Sequence, residues 1–398
     1  MKFTKLSLIA ALAASAAIAG GDIAPVEPVV EAPAVEAAAC NSNTTLNSKA
    51  VAYYYTTDAT PNDIFSKENS QLGTAVTFDV SHKLFDGITA NFSAVGFANL
   101  MDDEGRGNAG YMENGQTGAF INVANITATF GDTTLILGRQ LLNSPMVGGF
   151  DWLLAPGAFE AYTVANKSVE NLTLIGTYLR TWRPNNSGNT WVNLASDKTP
   201  GIVDENNYAF GAAYDDKTIS ANLWYYNVDS GAAAGNVDYY TQVYVDAGYD
   251  FGIAKAEAQF VNTDYNTQTS SKAYGIKVSG SVANFDLYAA YNRIQDNQTG
   301  YVGVDSLYTS SWNIFTSHQW NGEDLDAFKI GASTTFAGIS AELSYADYDK
   351  GNETDLILGY DITDCINVGA VYTNTDDNTD TPDAGDTNAL EVFATYKF

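Results

Sequence analysis

The chain has few of the residues that build metal and catalytic centres. Its 398 residues contain two cysteines and two histidines. A zinc site needs several Cys, His or acidic ligands close together, and a Ser-His-Asp site needs a histidine beside its nucleophile. His82 and His318 lie far apart in the sequence, which contains no Gly-rich phosphate-binding motif. The composition therefore argues against an enzyme.

Long apolar runs are also absent after the N-terminus. Two lysines precede an apolar stretch at residues 6–16, and residues 17–19 have the small side chains of a cleavage site. This is the pattern of a secretory signal peptide, and it is shorter than the roughly 20 apolar residues of a membrane-spanning helix. We therefore expect residues 1–19 to direct Sec-dependent export, and we expect no helical membrane span.

Positive charge is scarce, with 19 Lys and Arg against 47 Asp and Glu and a formal net charge of −28. Such an acidic chain is a poor partner for nucleic acid. Aromatic residues make up 13% of the chain and include 25 tyrosines, which favours an ordered protein over an acidic disordered one. Tyrosine is also typical of the aromatic girdles of membrane barrels.

The segment that follows the predicted cleavage site, residues 20–46, is rich in Pro, Val, Ala and Glu. This composition suits an extended periplasmic tether, although a disordered tail would have the same composition. The two cysteines, Cys40 and Cys365, both fall on the periplasmic side of the topology derived below. Export permits a disulfide between them, and two unpaired thiols are the alternative.

From residue 47 to residue 398 the sequence alternates apolar and polar residues in stretches of about ten. Residues 88–94, 285–291 and 328–336 are clear examples. Because successive side chains of a strand point to opposite faces, each stretch has one apolar and one polar surface. This is the pattern of transmembrane β-strands.

The connections between these stretches differ in length in a regular way. Short connections near residues 85–87, 131–132, 215–217, 250–252, 283–284 and 337–338 alternate with long ones near 57–70, 99–118, 141–157, 182–207, 294–325 and 376–387. In bacterial barrels the short turns face the periplasm and the long loops face outward. A soluble sandwich has no reason to keep this rhythm.

We therefore predict an all-β fold, a transmembrane antiparallel β-barrel over residues 47–398 with about 18 strands, 16 being the alternative. An even number returns both chain ends to the periplasm, and barrels of this size keep an aqueous lumen. The expected location is the outer membrane of a Gram-negative cell, and the expected partners are the lipid bilayer with lipopolysaccharide, small solutes and ions. The terminal Phe398 on an apolar strand face resembles the assembly signal of outer-membrane barrels.

Strand parity also predicts which charges face the lumen, because an Arg or Lys that faces lipid at mid-depth costs about 2–4 kcal/mol. The expected lumen residues are Asp79, Lys255, Glu257, Lys277, Asp286, Lys329, Glu342 and Glu391. With acid in excess at the pore and in the loops, we expect a preference for cations. The alternative is that the acidic loops only solvate the outer surface.

The third long connection, within residues 138–160, is too apolar for an exposed loop. We expect it to fold inward and narrow the pore, with Asp151 and Glu160 near the constriction and Arg139 at its base. In the alternative interpretation Phe150 and Trp152 contact a neighbouring subunit or the lipid interface.

The motif residues of this connection resemble the third loop of OprD-type porins: Gly138, Arg139, Ser144, Pro145, Asp151, Leu153, Leu154, Pro156 and Phe159. Residues 49–57 and the turn at 82–87 resemble the related major porins of Campylobacter-type epsilonproteobacteria. The resemblance implies eighteen strands, an inward third loop, a homotrimer, passive diffusion of small hydrophilic solutes and ions, and a calcium ion in the lumen as a weaker implication.

One departure concerns specificity. OprD-type third loops carry a basic residue after the position of Asp151, whereas Trp152 and Leu153 occupy that stretch here. Arg139, Arg180, Arg183 and Arg293 could form a basic strip instead, but parity leaves Arg180 and Arg293 ambiguous. The rival functions are a substrate-specific channel and a surface adhesin that binds through loops 182–207 and 294–325.

Overall fold

A computed structural model describes residues 43–59, 63–101, 111–194, 207–228, 239–320, 322–377 and 386–398. The predicted signal peptide at residues 1–19, nearly all of the predicted tether at 20–46, and Cys40 lie outside these residues. Export, the tether and the disulfide therefore stay predictions.

The described residues form nineteen strands, of which eighteen build one closed wall. The wall strands are β1 (Thr44–Thr57), β2 (Ser70–Phe85), β3 (Ile88–Asn99), β4 (Gly118–Phe130), β5 (Thr133–Gln140), β6 (Ala158–Val169), β7 (Leu172–Arg183), β9 (Tyr208–Asp215), β10 (Ile219–Val228), β11 (Tyr240–Asp250), β12 (Lys255–Tyr265), β13 (Ser271–Val282), β14 (Phe285–Gln295), β15 (Leu325–Phe336), β16 (Ile339–Tyr348), β17 (Gly351–Thr363), β18 (Ile366–Asp377) and β19 (Thr387–Lys397). The remaining strand, β8 (Val192–Asn193), pairs with β7.

Helical structure in the described residues is limited to the short segments Lys67–Asn69 and Thr316–Gln319, and Tyr111–Asn114 is a turn in which Met112 and Glu113 have φ of +54° and +59°. None of these helices has the length and apolar character needed to cross a membrane.

Each wall strand pairs antiparallel with the strands before and after it, and β1 pairs with β19 in a register that runs from Lys49 opposite Lys397 to Thr57 opposite Ala389. This last pairing closes the sheet, so that no wall strand is left with an unpaired edge. Because the number of wall strands is even, both ends of the barrel sequence reach the same rim. The predicted antiparallel barrel of eighteen strands is confirmed.

The two rims differ as the sequence predicted. At one rim, the turn end, tight connections such as residues 86–87 and 337–338 join neighbouring strands. Gly87 shows why glycine is needed there: its φ is +74°, and a Cβ would lie 2.4 Å from the carbonyl oxygen of Thr129. At the other rim, the loop end, most connections are long, although residues 266–270 and 349–350 are short.

The wall has an apolar outer face and a buried inner face. On β15, Phe328 and Ile330 point outward and are 55% and 59% exposed, whereas Ala327 and Lys329 point inward and are buried. The same alternation recurs along the other strands. The outer face therefore matches lipid, and the inner face is covered in its upper part by chain that folds into the lumen.

Candidate functional site

The third loop, residues 141–157, crosses the inside of the barrel. Near its start, the Met146 amide donates to the hydroxyl oxygen of Tyr226 on β10, and Met146 is fully buried. Near its end, Leu154 is 1% exposed and packs with Val51 and Ala75, inward-facing residues of β1 and β2. The loop thus reaches from one side of the lumen to the other. The predicted inward third loop is confirmed.

Close packing of this loop against the wall depends on a small residue in β2. A Cβ at Gly73 would lie 3.1 Å from Cδ1 of Leu154. This is tighter than ordinary van der Waals contact, so that a side chain at position 73 would require Leu154 to shift by a few tenths of an ångström.

Asp151 of the third loop is tied to the wall by an ion pair. Nζ of Lys49 on β1 lies 3.0 Å from Oδ2 of Asp151, and the Asp151 side chain remains 61% exposed. Asp151 is therefore an accessible carboxylate on the inward loop. Its partner Lys49 was not among the residues predicted for the site, although the alternation of β1 places it on the inward face.

The eight charged residues assigned to the lumen by parity all lie on inward-facing positions of their strands. Some are paired there: Nζ of Lys255 lies 2.8 Å from Oε1 of Glu257, and Nζ of Lys329 donates to the carbonyl oxygen of Ser310 at 2.7 Å. They are spread along several strands, and the complete set is Asp79, Lys255, Glu257, Lys277, Asp286, Lys329, Glu342 and Glu391.

The placement expected for Arg139 and Glu160 is wrong. Both residues belong to strands, where they lie directly opposite each other on β5 and β6. They share the outward face with Leu137 and Tyr162, which are 46% and 43% exposed. The expected loop boundaries, residues 141–157, agree with the structure, and both residues lie just outside them in strands. The expectation followed the third-loop motif and did not apply the alternation of β5 and β6, which places both side chains on the outward face.

The arginines considered for a basic strip do not form one in the lumen. Arg139 stacks on the ring of Trp191 at 4.1 Å, and Nη1 of Arg180 lies 3.5 Å from Oε1 of Glu160 on the outer face. Arg293 also faces outward, where it pairs with Asp324 and Asp326 at the loop end.

The fourth arginine, Arg183, is fully buried. Its Nη1 lies 3.1 Å from Oε2 of Glu113, and its Nη2 donates to the carbonyl oxygen of Pro156 at 3.1 Å. Burial raises the pKa of Glu113, and the charge of Arg183 opposes this rise. Arg183 therefore joins the connection between β3 and β4, which contains Glu113, to the third loop. It offers no charge to the pore.

A second inward loop was not predicted. The seventh loop, residues 296–324, was expected among the outward loops, but Leu307, Thr309 and Ser310 are fully buried. It is held by inward-facing polar side chains of the wall. Oε1 of Gln259 on β12 accepts the Tyr308 amide at 2.9 Å, and Oδ1 of Asn292 on β14 accepts the Thr309 amide at 3.0 Å.

Glu353 on β17 holds the next part of the seventh loop. Its two carboxylate oxygens accept the backbone amides of Asn313 and Ile314 at 2.7 and 3.0 Å. Glu353 was not predicted as a site residue, although it lies on the inward face of its strand. The apolar residues Leu307, Tyr308 and Ile314 were the sequence signal that could have identified this loop as buried.

The two inward loops contact each other. Val147 and Val302 form a parallel β-bridge, the Gly148 amide donates to the Val302 carbonyl at 3.0 Å, and the Val302 amide donates to the Met146 carbonyl at 2.9 Å. The rings of Phe150 and Phe315 meet edge to face with centroids 6.3 Å apart. The two loops therefore form one connected body of chain inside the barrel.

Glu391 on β19 touches both loops. Its Oε2 accepts the indole N–H of Trp152 from the third loop at 3.0 Å, and its Oε1 accepts the indole N–H of Trp312 from the seventh loop at 3.0 Å. The hydroxyl of Tyr53 on β1 also donates to Oε2. Glu391 was predicted as a lumen residue, but its contacts with the loops were not.

The remaining candidate residues have simpler surroundings. Cys365 lies exposed in the turn between β17 and β18, and its proposed partner Cys40 lies outside the described residues. Within the described ranges, no group of three or more His, Cys, Asp or Glu side chains is arranged to hold a metal ion. Nδ1 of His82 lies 2.7 Å from Oγ1 of Thr44, and His318 is exposed in the seventh loop.

Comparisons with known proteins agree with this architecture. A family model described as outer membrane porin, OprD family, matches residues 94–370, well over half of the chain. No curated protein sequence matches the chain.

Several solved structures share the fold. OccD3 (OpdP) of Pseudomonas aeruginosa is 14% identical with a TM-score of 0.73 over 90% of this chain and 91% of that chain. A BenF-like porin from Pseudomonas fluorescens Pf-5 is 13% identical with a TM-score of 0.74 over 90% of this chain and 99% of that chain. OpdK of Pseudomonas aeruginosa, solved with vanillate, is 13% identical with a TM-score of 0.70 over 89% and 98%. At these identities the likeness concerns the fold.

Proposed function

The chain belongs to the OprD family of outer membrane porins, and from this premise we propose that it is a cation-preferring channel for small hydrophilic solutes and ions. As a member of this family it is an outer-membrane porin of a Gram-negative cell that lets solutes diffuse passively. Membership also fits the prediction that the chain is not an enzyme. The proposal concerns which solutes pass.

The balance of inward-facing charge carries the proposal. Among the described strand residues, inward-facing carboxylates outnumber inward-facing lysines. The carboxylates that are not fully buried include Asp79, Asp246, Glu257, Asp286 and Glu342, and the lysines that are not fully buried include Lys49, Lys255 and Lys277. A low-dielectric wall that carries mostly one sign of charge raises the local concentration of counter-ions.

The arginines support the same proposal by where they lie. Arg139, Arg180 and Arg293 face outward, and Arg183 is buried against Glu113. A channel that recognises carboxylates needs accessible cations along its path, and these four residues do not supply them. One homologous structure, OpdK, was solved with vanillate, but the placement of these arginines favours simple cations over carboxylate solutes here.

The adhesin alternative loses one of its two supposed binding surfaces, because the seventh loop is folded into the lumen. Much of the other, residues 182–207, lies outside the described residues.

The proposal has three further parts: export through a cleaved signal peptide, assembly into a homotrimer and a particular closeness to the Campylobacter-type porins. They rest on the sequence patterns alone, and a heat-modifiable high-mass band in detergent would support the trimer.

Reversal potentials in planar bilayers test the ion preference. Under a tenfold KCl gradient, the wild-type channel should show a reversal potential of the sign expected for K⁺ permeation. Asp286→Asn, which removes an exposed inward carboxylate, should move that potential toward zero. Asp264→Asn is the matched control, because Asp264 is also exposed but faces outward on β12. An anion-selective wild type, or equal shifts in both variants, would contradict the proposal.

A further inference from the structure

One side chain of the wall, Glu391, hydrogen-bonds to both inward loops. Glu391 is 1% exposed and lies in the centre of the β19 pairing, opposite Tyr55 on β1 and Val371 on β18. Trp152 and Trp312, whose indoles it accepts, come from different loops that are separated in sequence by the wall strands from β6 to β14.

The chemistry of this contact requires a carboxylate. An ionised glutamate is an acceptor at both oxygens, and here it meets three neutral donors: two indole N–H groups and the hydroxyl of Tyr53. Indole nitrogen can only donate. A glutamine in this position would offer one oxygen and place its NH₂ group against an indole N–H, so that two donors would face each other in a buried site.

Apart from Glu391, the two loops are attached to the wall by different residues. The third loop packs apolar side chains such as Leu154 on the wall, and the seventh loop hydrogen-bonds to Gln259, Asn292 and Glu353.

The two loops also contact each other directly, through the Val147–Val302 bridge and the rings of Phe150 and Phe315. Glu391 adds a shared contact with the wall on the β19 side, where its two oxygens hold the two indoles a single carboxylate apart.

We propose that Glu391 is a positioning residue that sets the geometry of the constriction by holding the third and seventh loops together against the wall. The proposal rests on the proposed channel function but not on its ion preference. Its consequence is that a substitution at the wall, outside the loops themselves, controls how steadily the pore stays open. Loops released from this carboxylate fluctuate within the conducting path.

The open-channel current of Glu391→Gln tests the proposal. We expect the current noise within the open level to rise several-fold, with brief partial closures that the wild type lacks. Glu342→Gln is the matched control, since Glu342 is an inward-facing acid whose hydrogen-bond partner, Tyr288, belongs to the wall. It removes the same charge and should keep the wild-type noise level.

A second pair of variants separates the two loops. Trp152→Phe removes the indole donor of the third loop, and Trp312→Phe removes that of the seventh loop, while both keep an aromatic ring. Each should raise the noise partly, and the double variant should match Glu391→Gln. Heat-modifiable electrophoretic mobility verifies that each barrel is folded, and the double tryptophan variant replaces Glu391→Gln if the latter does not fold.

The outcomes are distinct. A quiet Glu391→Gln channel, or equal noise in Glu342→Gln, overturns the positioning role. A folded double tryptophan variant with wild-type noise also overturns it. A wild-type protein that forms no channel contradicts the proposed function instead, and would do so before any variant is compared.

Discussion

The third and seventh loops occupy the same lumen but differ in most of the side chains that they bury. The third loop buries Met146, Val147 and Leu154, and these apolar side chains pack on the wall. The seventh loop buries many hydroxyl side chains, among them Thr309 and Ser310, and its backbone is hydrogen-bonded to the wall. Chain can therefore be held inside a pore either by apolar contact or by satisfying its polar groups.

The two modes of attachment differ in how they fail. Removing an apolar side chain leaves a cavity whose cost depends on how well the surroundings collapse. Removing a hydrogen-bond acceptor leaves buried amides without a partner, and each such group costs about 1–3 kcal/mol. We therefore expect the seventh loop to be more sensitive to single substitutions in the wall, and the third loop to substitutions in the loop itself.

The largest effect is expected for Glu353→Ala. This change leaves the amides of Asn313 and Ile314 without their acceptor, at a cost of about 4 kcal/mol for the two groups. The seventh loop should be released, and chymotrypsin should cleave after Trp312 in folded barrels. The third loop should stay protected.

Glu342→Ala is the control for Glu353→Ala, because Glu342 is an inward-facing acid that hydrogen-bonds to Tyr288 of the wall. In the Glu342→Ala variant the seventh loop should resist chymotrypsin as it does in the wild type. If Glu353→Ala exposes both loops equally, or neither, the two loops do not depend on separate supports.

A smaller effect is expected for Leu154→Ala in the third loop. Leu154 is 1% exposed, and truncation of a buried leucine costs about 3 kcal/mol. Cleavage after Trp152 should increase while the seventh loop stays protected. Leu141→Ala is the matched control, because Leu141 belongs to the same loop but is 48% exposed. Equal cleavage of the two variants would show that burial on the β2 side does not hold the loop.

The wall was predictable from sequence because its pattern is local. Alternation over ten residues and the lengths of the connections are properties of short segments, and they located the eighteen wall strands to within a few residues. The third loop was also predictable, since Met146, Trp152 and Leu154 would be out of place on a solvated surface. In both cases the apolar residues identify what is buried.

The seventh loop and the outward arginines could not be predicted in the same way. The seventh loop contains buried apolar residues such as Leu307 and Ile314, but most of its buried side chains are polar. Its acceptors Gln259, Asn292 and Glu353 lie on three different strands. Only the closed barrel brings them to one place. Arg139 was misplaced for another reason: the expectation followed the third-loop motif, whereas the alternation along β5 places Arg139 on the outward face with Leu137.

The smallest expected effect is a pH dependence of the seventh loop that comes from a buried acid of its own, whereas the acid of the third loop, Asp151, is 61% exposed. Asp305 is fully buried, and its oxygens accept the amides of Leu307 and Ser317 at 2.9 Å. Burial raises its pKa above the ordinary value, so that the folded loop binds a proton more tightly than a released loop. The resulting stabilisation is complete below the ordinary pKa of about 3.9 and is lost as pH rises through the higher pKa of the folded state.

This dependence is measured best as a ratio, because other carboxylates titrate in the same range. The rate of chymotryptic cleavage in the seventh loop is measured for the wild type and for Asp305→Asn at each pH and is corrected for the activity of the protease at that pH. The ratio of the wild-type rate to the variant rate should increase from pH 4 to pH 7. The asparagine side chain of the variant does not ionise, so its loop should lack this contribution. A ratio that stays constant, or that falls with pH, would mean that Asp305 keeps its charge in the folded loop at no cost. In that case its hydrogen bonds to Leu307 and Ser317 compensate for burial, and Asp305 would hold the seventh loop as firmly at pH 7 as at pH 4.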